Sequence, residues 1–215
     1  MNRAMARALV IAGLLSWPGW ARAEPVQKAE RPGSEGSIRD RLSLQMMAGA
    51  LFAPMGIGPP SPPFRYAPLN LRVNFRPLPP AADEDSLVRH LELVFELSSS
   101  LVYEGFGEIL IGPTFLVRYN FFRDLSFLRP YAQLGIGTVF NDIYKEKQRF
   151  IGLPVEFTPQ ASLGLHLRLS PSFSLDLEAM YHHISNAGLS QTRNLGTNAV
   201  GGQIGFTWLL EPAQN

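Results

Sequence analysis

The stretch FSLDLEAMYHHISNAGL, residues 173–189, alternates apolar and polar side chains along most of its length. Successive residues of a β-strand point to opposite faces, so this spacing predicts a strand with one apolar and one polar face. His183 and Ser185 share the apolar face, where an imidazole and a hydroxyl can act as base and nucleophile. In a soluble core such a pair would be structural, so its role depends on what the apolar face contacts.

Composition alone leaves the class of protein open. The 215 residues carry a formal net charge of +1, and 46% of them are hydrophobic, as in many globular domains. The charge balance therefore indicates no nucleic acid or acidic substrate. The chain has no cysteine, which excludes disulfides, thiolate metal sites and a cysteine nucleophile.

The N-terminus has the pattern of a secretory signal peptide. Arg3 and Arg7 precede a short apolar stretch, residues 9–17, which leads to the small-x-small site at 21–23. The alternative is the amphipathic start of a cytosolic domain. No apolar run reaches the ~20 residues of a membrane helix, which disfavours a helical membrane protein. We predict a signal peptide at 1–23, a polar leader at 24–40, a β-barrel at 41–210 and a tail at 211–215.

Eight alternating segments follow from residue 41, near the ~9–11 residues of a tilted membrane strand. They cover residues 42–52, 70–76, 90–98, 108–121, 131–140, 160–169, 173–185 and 198–210. The charged residues of these segments fall in the register opposite to the apolar one. They are Arg72, Arg76, Glu92, Glu96, Glu108, Arg118, Arg168, Asp176 and Glu178.

Two all-β architectures fit this alternation. A soluble periplasmic β-sandwich carrier would turn the charges to water, whereas an outer-membrane barrel would turn them into its lumen. The signal peptide, the long consecutive strands and the aromatic residues near strand ends favour the barrel. The predicted fold is therefore an eight-stranded antiparallel transmembrane outer-membrane β-barrel. Its lumen should be filled by paired charges, not open as a pore.

With both termini in the periplasm, odd strands run outward and even strands return. Outer loops are then expected at 53–68, 141–154 and 186–197, and periplasmic turns at 76–86, 123–127 and 170–171. His183 and Ser185 consequently lie at the outer end of the seventh strand and face lipid. The outer leaflet there contains lipopolysaccharide.

The motif HxSNAGL at residues 183–189 resembles the signature of the outer-membrane lipid A 3-O-deacylases of the PagL type. The resemblance is sharp over about the last forty residues. It implies an eight-stranded barrel that hydrolyses the ester-linked acyl chain at the 3-position of lipid A, on the outer wall of the barrel. It requires no metal and no cofactor.

The resemblance also implies roles for individual residues. Ser185 is the expected nucleophile and His183 its general base, with the backbone N–H groups of Asn186 and Gly188 as the oxyanion hole. The expected partners are lipid A or lipopolysaccharide as substrate and the lipid of the outer membrane, with no nucleic acid. A homodimer is an open alternative.

The third member of the catalytic group departs from the family's pattern. Where the family has a glutamate shortly after the serine, the best-aligned position here is Asn198. An amide oxygen can orient the imidazole, but it cannot offset the charge of the imidazolium. Glu146 and Glu156 are the other candidate carboxylates, although Glu156 falls in the lumen register. The alternative function is thus a weak or inactive barrel relative with a structural or lipid-binding role.

Other polar residues have simpler interpretations. His182 should point into the lumen and form a hydrogen bond there, and His90 and His166 share that register. Lys145, Lys147 and Arg149 are expected to form a solvated loop face that can reach lipid A phosphates.

Overall fold

A computed structural model describes residues 41–53, 63–78, 87–121, 127–190 and 192–210. This part of the chain contains eight β-strands and two short 3₁₀ turns, at 87–90 and 143–145. The strands are β1 (Leu42–Phe52), β2 (Arg65–Phe75), β3 (Leu91–Glu104), β4 (Ile109–Asn120), β5 (Leu128–Asn141), β6 (Val155–Arg168), β7 (Phe173–Ile184) and β8 (Thr197–Leu209).

The strands form a closed barrel in sequence order, in which every neighbouring pair is antiparallel and β1 pairs with β8. Closure leaves no strand edge unpaired, and all backbone polar groups can then be satisfied within hydrocarbon. The last residues of β1, β3, β5 and β7 lie at one end of the barrel, together with the described connections at 105–108, 142–154 and 185–196. We call this end the site end.

Burial alternates along the strands as the sequence predicts. In β2, for example, Tyr66, Asn70, Arg72 and Asn74 are buried while Leu69, Leu71 and Val73 are 42–51% exposed. The polar face therefore lines the lumen and the apolar face forms the outer wall, as in a transmembrane barrel and unlike a soluble sandwich. The predicted eight-stranded antiparallel barrel is confirmed.

The lumen is filled by charges that pair across the barrel. Arg72 contacts Glu96 at 2.6 Å and both oxygens of Glu178, at 2.8 and 3.0 Å. Arg118 lies 3.3 Å from Glu92, which also accepts from Arg76 at 2.9 Å. Buried charges are tolerated when opposite charges and hydrogen bonds surround them. The prediction of a packed lumen with paired charges agrees with this network.

Several strands begin earlier than predicted, and each of the added stretches contains a proline. β2 begins at Arg65 and includes Pro68, so the first loop of the site end finishes at residue 64. β5 includes Pro130, and β6 begins at Val155 and includes Pro159. Proline has no N–H for the ladder, and the β1–β2 pairing is interrupted opposite Pro68. A proline therefore removes hydrogen bonds between neighbouring strands but does not end its own strand.

A small apolar cluster closes the lumen at the site end. Leu51, Tyr66, Leu110, Ile143 and Ile184 are at most 2% exposed and pack together. Their burial anchors the loop at 142–154 on the barrel and fixes the end of β7. The site end is therefore a rigid platform.

Some predictions fall outside the described residues. These are the signal peptide (1–23), the leader (24–40), the tail (211–215), the proline-rich part of the first loop (54–62) and most of two turns (79–86 and 122–126). Within the described ranges, neither helical turn has the length and apolar character needed to cross a bilayer.

Candidate active site on the outer wall

The predicted catalytic residues meet at the site end of β7 and β8. His183 is directly opposite Asn198 in the β7–β8 ladder, and Ile184 is opposite Thr197. His183, Ser185 and Asn198 are each partly exposed, whereas their neighbours His182 and Ile184 are buried. The imidazole of residue 183 therefore lies on the outer wall, in the register that carries the apolar surface.

Asn198 holds the imidazole in one tautomer. Its Oδ1 lies 2.7 Å from His183 Nδ1. An amide oxygen only accepts hydrogen bonds, so Nδ1 carries a proton, and in the neutral imidazole the lone pair is then on Nε2. A lone pair on Nε2 is what a general base requires. The geometry therefore assigns to Asn198 the orienting part of the role that a carboxylate has in a triad.

Tyr181 is a second partner of Asn198, and the sequence analysis did not predict this role. Its hydroxyl donates to the same Oδ1 at 2.6 Å. Because Tyr181 and His183 both donate to Oδ1, the amide is oriented with its carbonyl group, and not its NH₂ group, toward the imidazole. Tyr181 is 39% exposed and precedes His183 by two residues on the same face. The signal available in the sequence was therefore its shared parity with His183.

Ser185 follows the last residue of β7 and is held by β6. Its N–H donates to Phe157 O at 3.0 Å, and its carbonyl accepts from Phe157 N at 2.8 Å. Between this bridge and the Gln160–His182 rung lies Pro159, which has no N–H to donate toward β7. The proline thus interrupts the ladder beside His183, and the bridge between Phe157 and Ser185 restores it.

Gly196 lies against both His183 and Ser185. A Cβ atom added at this position would lie 3.1 Å from His183 Cε1 and 3.2 Å from Ser185 Cβ. Both atoms are thus near one point, and Cε1 is bonded to Nε2, the nitrogen that does not contact Asn198. Gly196 also has a φ of 64°, which favours glycine. Any side chain here would contact the pair directly.

The residues predicted to form the oxyanion hole make a tight turn. The Asn186 side chain is 1% exposed; its Oδ1 accepts from the Gly188 N–H at 3.0 Å, and its Nδ2 donates to Arg193 O at 3.2 Å. Ala187 and Gly188 both have positive φ, 52° and 86°. The Gly188 N–H is thus already engaged, and it would have to exchange Asn186 Oδ1 for a substrate oxygen.

The other candidate carboxylates lie elsewhere. Glu156 is fully buried, and its Oε1 accepts from the N–H groups of Gly152 and Leu153 at 2.9 and 2.8 Å. It therefore braces the turn before β6, consistent with its lumen register. Glu146 is exposed in the loop at 142–154, and the Nδ1 of His183 is occupied by Asn198.

The remaining histidines have structural partners. His182 is 8% exposed and its Nδ1 is 2.6 Å from the Tyr66 hydroxyl, so the predicted lumen position is confirmed. His90 bonds Asn120 O at 2.8 Å and His166 contacts Asp176 at 2.6 Å. Among the described residues, no group of three or more His, Cys, Asp or Glu side chains is arranged to hold a metal ion.

Loop contacts stiffen the surroundings of the site. Asp142 Oδ1 accepts from the N–H groups of Glu108 and Ile109 at 2.9 and 3.2 Å, joining two loops of the site end. Partial burial alone would raise the pKa of the Asp142 carboxyl, but these N–H groups outweigh it and lower the pKa below its ordinary value. The carboxylate therefore stays charged and holds the loops together.

Comparison with known proteins gives one family and several barrels. Residues 70–207 match the family model described as Lipid A 3-O-deacylase (PagL). The crystal structure of the outer membrane enzyme PagL is similar with 18% identity and a TM-score of 0.55, covering 76% of this chain and 97% of that one. Neisserial surface protein A is similar with 15% identity and a TM-score of 0.53, covering 78% and 96%. Among curated proteins, no sequence gave a significant match.

Proposed function

Since the chain belongs to the PagL family of lipid A 3-O-deacylases, we propose that it is an outer-membrane serine esterase. Its proposed reaction is hydrolysis of the ester-linked acyl chain at the 3-position of lipid A. The observation that carries the proposal is the hydrogen bond of 2.7 Å between His183 Nδ1 and Asn198, beside Ser185 on the apolar outer wall. A membrane lipid can reach this site without leaving the bilayer.

The proposed first step is acyl transfer to Ser185. Nε2 of His183 takes the hydroxyl proton while Oγ attacks the ester carbonyl, and the proton then passes to the sugar oxygen that leaves. Water, activated by the same imidazole, hydrolyses the acyl-serine ester and releases the fatty acid. Negative charge on the tetrahedral intermediate would be met by the N–H groups of Asn186 and Gly188.

Asn198 is proposed to orient the base without balancing its charge. Its Oδ1, fixed by the Tyr181 hydroxyl at 2.6 Å, keeps the imidazole in the productive tautomer. In a serine triad, exchange of aspartate for asparagine costs about 10⁴-fold because the wrong tautomer is favoured. The Tyr181 contact supports the correct tautomer here, and so supports activity with an amide partner.

We place the site at the external surface of the outer membrane. This placement rests on the predicted signal peptide and on periplasmic termini, which put the loops of the site end outside.

A second candidate function is that of a lipid-binding relative that does not cleave lipid A. The observation in its favour is the same neutral Asn198 in place of a carboxylate.

The test is the mass spectrum of lipid A from a host that makes the protein. Loss of the mass of one 3-hydroxyacyl chain from the 3-position is expected with the wild-type chain, and no loss with Ser185→Ala. Equal folding of the two proteins is checked by their heat-dependent mobility on gels. An unchanged lipid A profile with the folded wild-type protein would leave the non-cleaving candidate.

A further inference from the structure

A polar cleft of about 330 Å³ opens beside the candidate active site. It is lined by Arg149, Gly188, Thr192, Asn194 and Leu195. Gly188 also belongs to the proposed oxyanion hole, so the cleft adjoins the place where an ester carbonyl would lie. Arg149 gives the lining its positive charge.

The backbone that carries Arg149 is braced on both sides. Gln148, only 7% exposed, donates to the carbonyl oxygens of Ile143 and Ile151 and accepts from the N–H groups of Phe150 and Ile151. Ile151 itself is 2% exposed, in the apolar cluster of the site end. Arg149 therefore projects from a fixed turn, and its position is defined before any ligand arrives.

The same turn is tied to the active site. Leu195 N donates to Arg149 O at 3.3 Å, and Gly196 N donates to Phe150 O at 3.0 Å. Gly196 is the residue that lies against His183 and Ser185. These backbone hydrogen bonds hold the main chain of Arg149 close to His183 and Ser185.

The two arginines of these loops differ in what they contact. Nη1 of Arg193 donates to the carbonyl oxygens of Tyr144 and Glu146, at 3.0 and 3.4 Å, and joins the loops. Arg149 is exposed, and within the described ranges its side chain forms no hydrogen bond or ion pair. Asn194 Oδ1, another group of the lining, is buried without a partner among the described residues.

We propose that this cleft binds the phosphorylated sugar headgroup of the substrate, with the Arg149 guanidinium paired to a phosphate. A planar guanidinium offers two parallel N–H donors to a phosphate, and the hydroxyl of Thr192, which is exposed and lines the cleft, can bond to a sugar hydroxyl. The cleft thereby selects a phosphorylated glycolipid over a neutral one and sets its ester at Ser185. This inference rests on the proposed function for the identity of the lipid.

The test is equilibrium binding in lipid nanodiscs, with the Ser185→Ala protein so that no probe is cleaved. The probes are lipid A with both phosphates and enzymatically dephosphorylated lipid A with the same acyl chains. Removal of the phosphates should weaken binding about tenfold, the scale of one charge-assisted hydrogen-bonded pair. In Arg149→Gln the same removal should change binding less than about twofold.

Lys147→Gln is the matched control, because Lys147 is exposed in the same loop but does not line the cleft. It removes the same charge and should leave the preference for phosphate intact. Arg149→Lys should keep only part of it, since an ammonium group lacks the paired donors. Equal losses in Arg149→Gln and Lys147→Gln would overturn the proposal and show a diffuse charge effect.

A further arm separates a lipid headgroup from phosphate as a free ion. Inorganic phosphate at millimolar concentration should compete poorly if the sugar is also bound, and full competition would contradict the headgroup assignment. The binding result stands apart from catalysis. If Arg149 binds phosphate but the wild-type protein does not cleave lipid A, the proposed esterase activity is wrong and the proposed role of the cleft stands. If the wild-type protein cleaves lipid A but Arg149→Gln does not change the preference for phosphate, only the proposed role of the cleft is wrong.

Discussion

The lumen and the outer wall of this barrel treat ionisable groups in opposite ways. Inside, Arg72 is enclosed by the carboxylates of Glu96 and Glu178, at 2.6 and 2.8 Å. On the wall, His183 has an uncharged partner, the amide of Asn198. The lumen surrounds its ions with countercharges, whereas the imidazole on the wall is bonded to a group without charge. The comparison indicates that the lumen network serves stability, whereas the candidate base on the wall has a neutral partner.

The largest effect is expected from His183→Asn, which removes the base from the outer wall. Without it, activity should fall by about 10³-fold or more, as for essential members of a catalytic group. Stability should hardly change, because the half-exposed imidazole has one side-chain hydrogen bond in the described structure. Release of fatty acid from lipid A measures the first effect, and unfolding in guanidinium chloride the second. Full activity in the variant would show that the wall does not house the base.

The opposite pattern is expected from Glu178→Gln in the lumen. Glu178 accepts from Arg72, Tyr131 and Gln133, so its loss leaves a buried cation partly uncompensated. The free energy of unfolding should fall by about 3 kcal/mol. The control is Glu104→Gln, whose partner Arg65 is exposed, with an expected loss under about 1 kcal/mol. Equal losses in the two variants would refute the stabilising role of the lumen network.

Asn198→Glu makes the wall resemble the lumen by giving the base a countercharge. We expect kcat/KM to rise about tenfold or more, because a carboxylate stabilises the imidazolium that forms during acyl transfer. A small loss of stability should accompany it, since the new charge lies at the membrane surface. Rates on lipid A in mixed micelles test this. A fall in kcat/KM would indicate a site adapted to the amide.

Tyr181→Phe should have the smallest effect and should depend on residue 198. Loss of one hydrogen bond frees the Asn198 amide to turn its NH₂ group toward the imidazole, and kcat should fall about fivefold. Both oxygens of a carboxylate accept hydrogen bonds, so Tyr181→Phe in an Asn198→Glu background should lower kcat by less than about twofold. Equal costs in both backgrounds would exclude an orienting role for Tyr181.

The sequence predicted the features that depend on local alternation. Parity placed His183 and Ser185 on the outer face and His182 in the lumen, and the motif indicated the family. The contacts of Tyr181, Pro159 and Gly196 were not predictable in this way. They depend on which residues of β6, β7 and β8 are opposite one another, and that register is fixed by closure of the whole barrel.

Strand boundaries failed for a related reason. Pro68 and Pro159 predict a break when a strand is considered alone. In the barrel the pairing with β3 runs through Pro68 and the pairing with β5 runs through Pro159, so each strand continues although its other ladder is interrupted. Closure therefore determines both the ends of the strands and the finer geometry of the site.

The proposed function requires Ser185 to be an activated nucleophile that faces lipid. To test this requirement, the protein in bilayers is labelled with a long-chain alkyl fluorophosphonate, which partitions into the membrane, and the adduct is mapped by peptide mass spectrometry. If His183 activates Ser185 on the lipid-facing wall, the probe should form an adduct on Ser185. This adduct should be lost in His183→Asn, and it should form more slowly with a short, water-soluble analogue. An adduct on another residue, or labelling of Ser185 that does not depend on His183, would contradict this requirement.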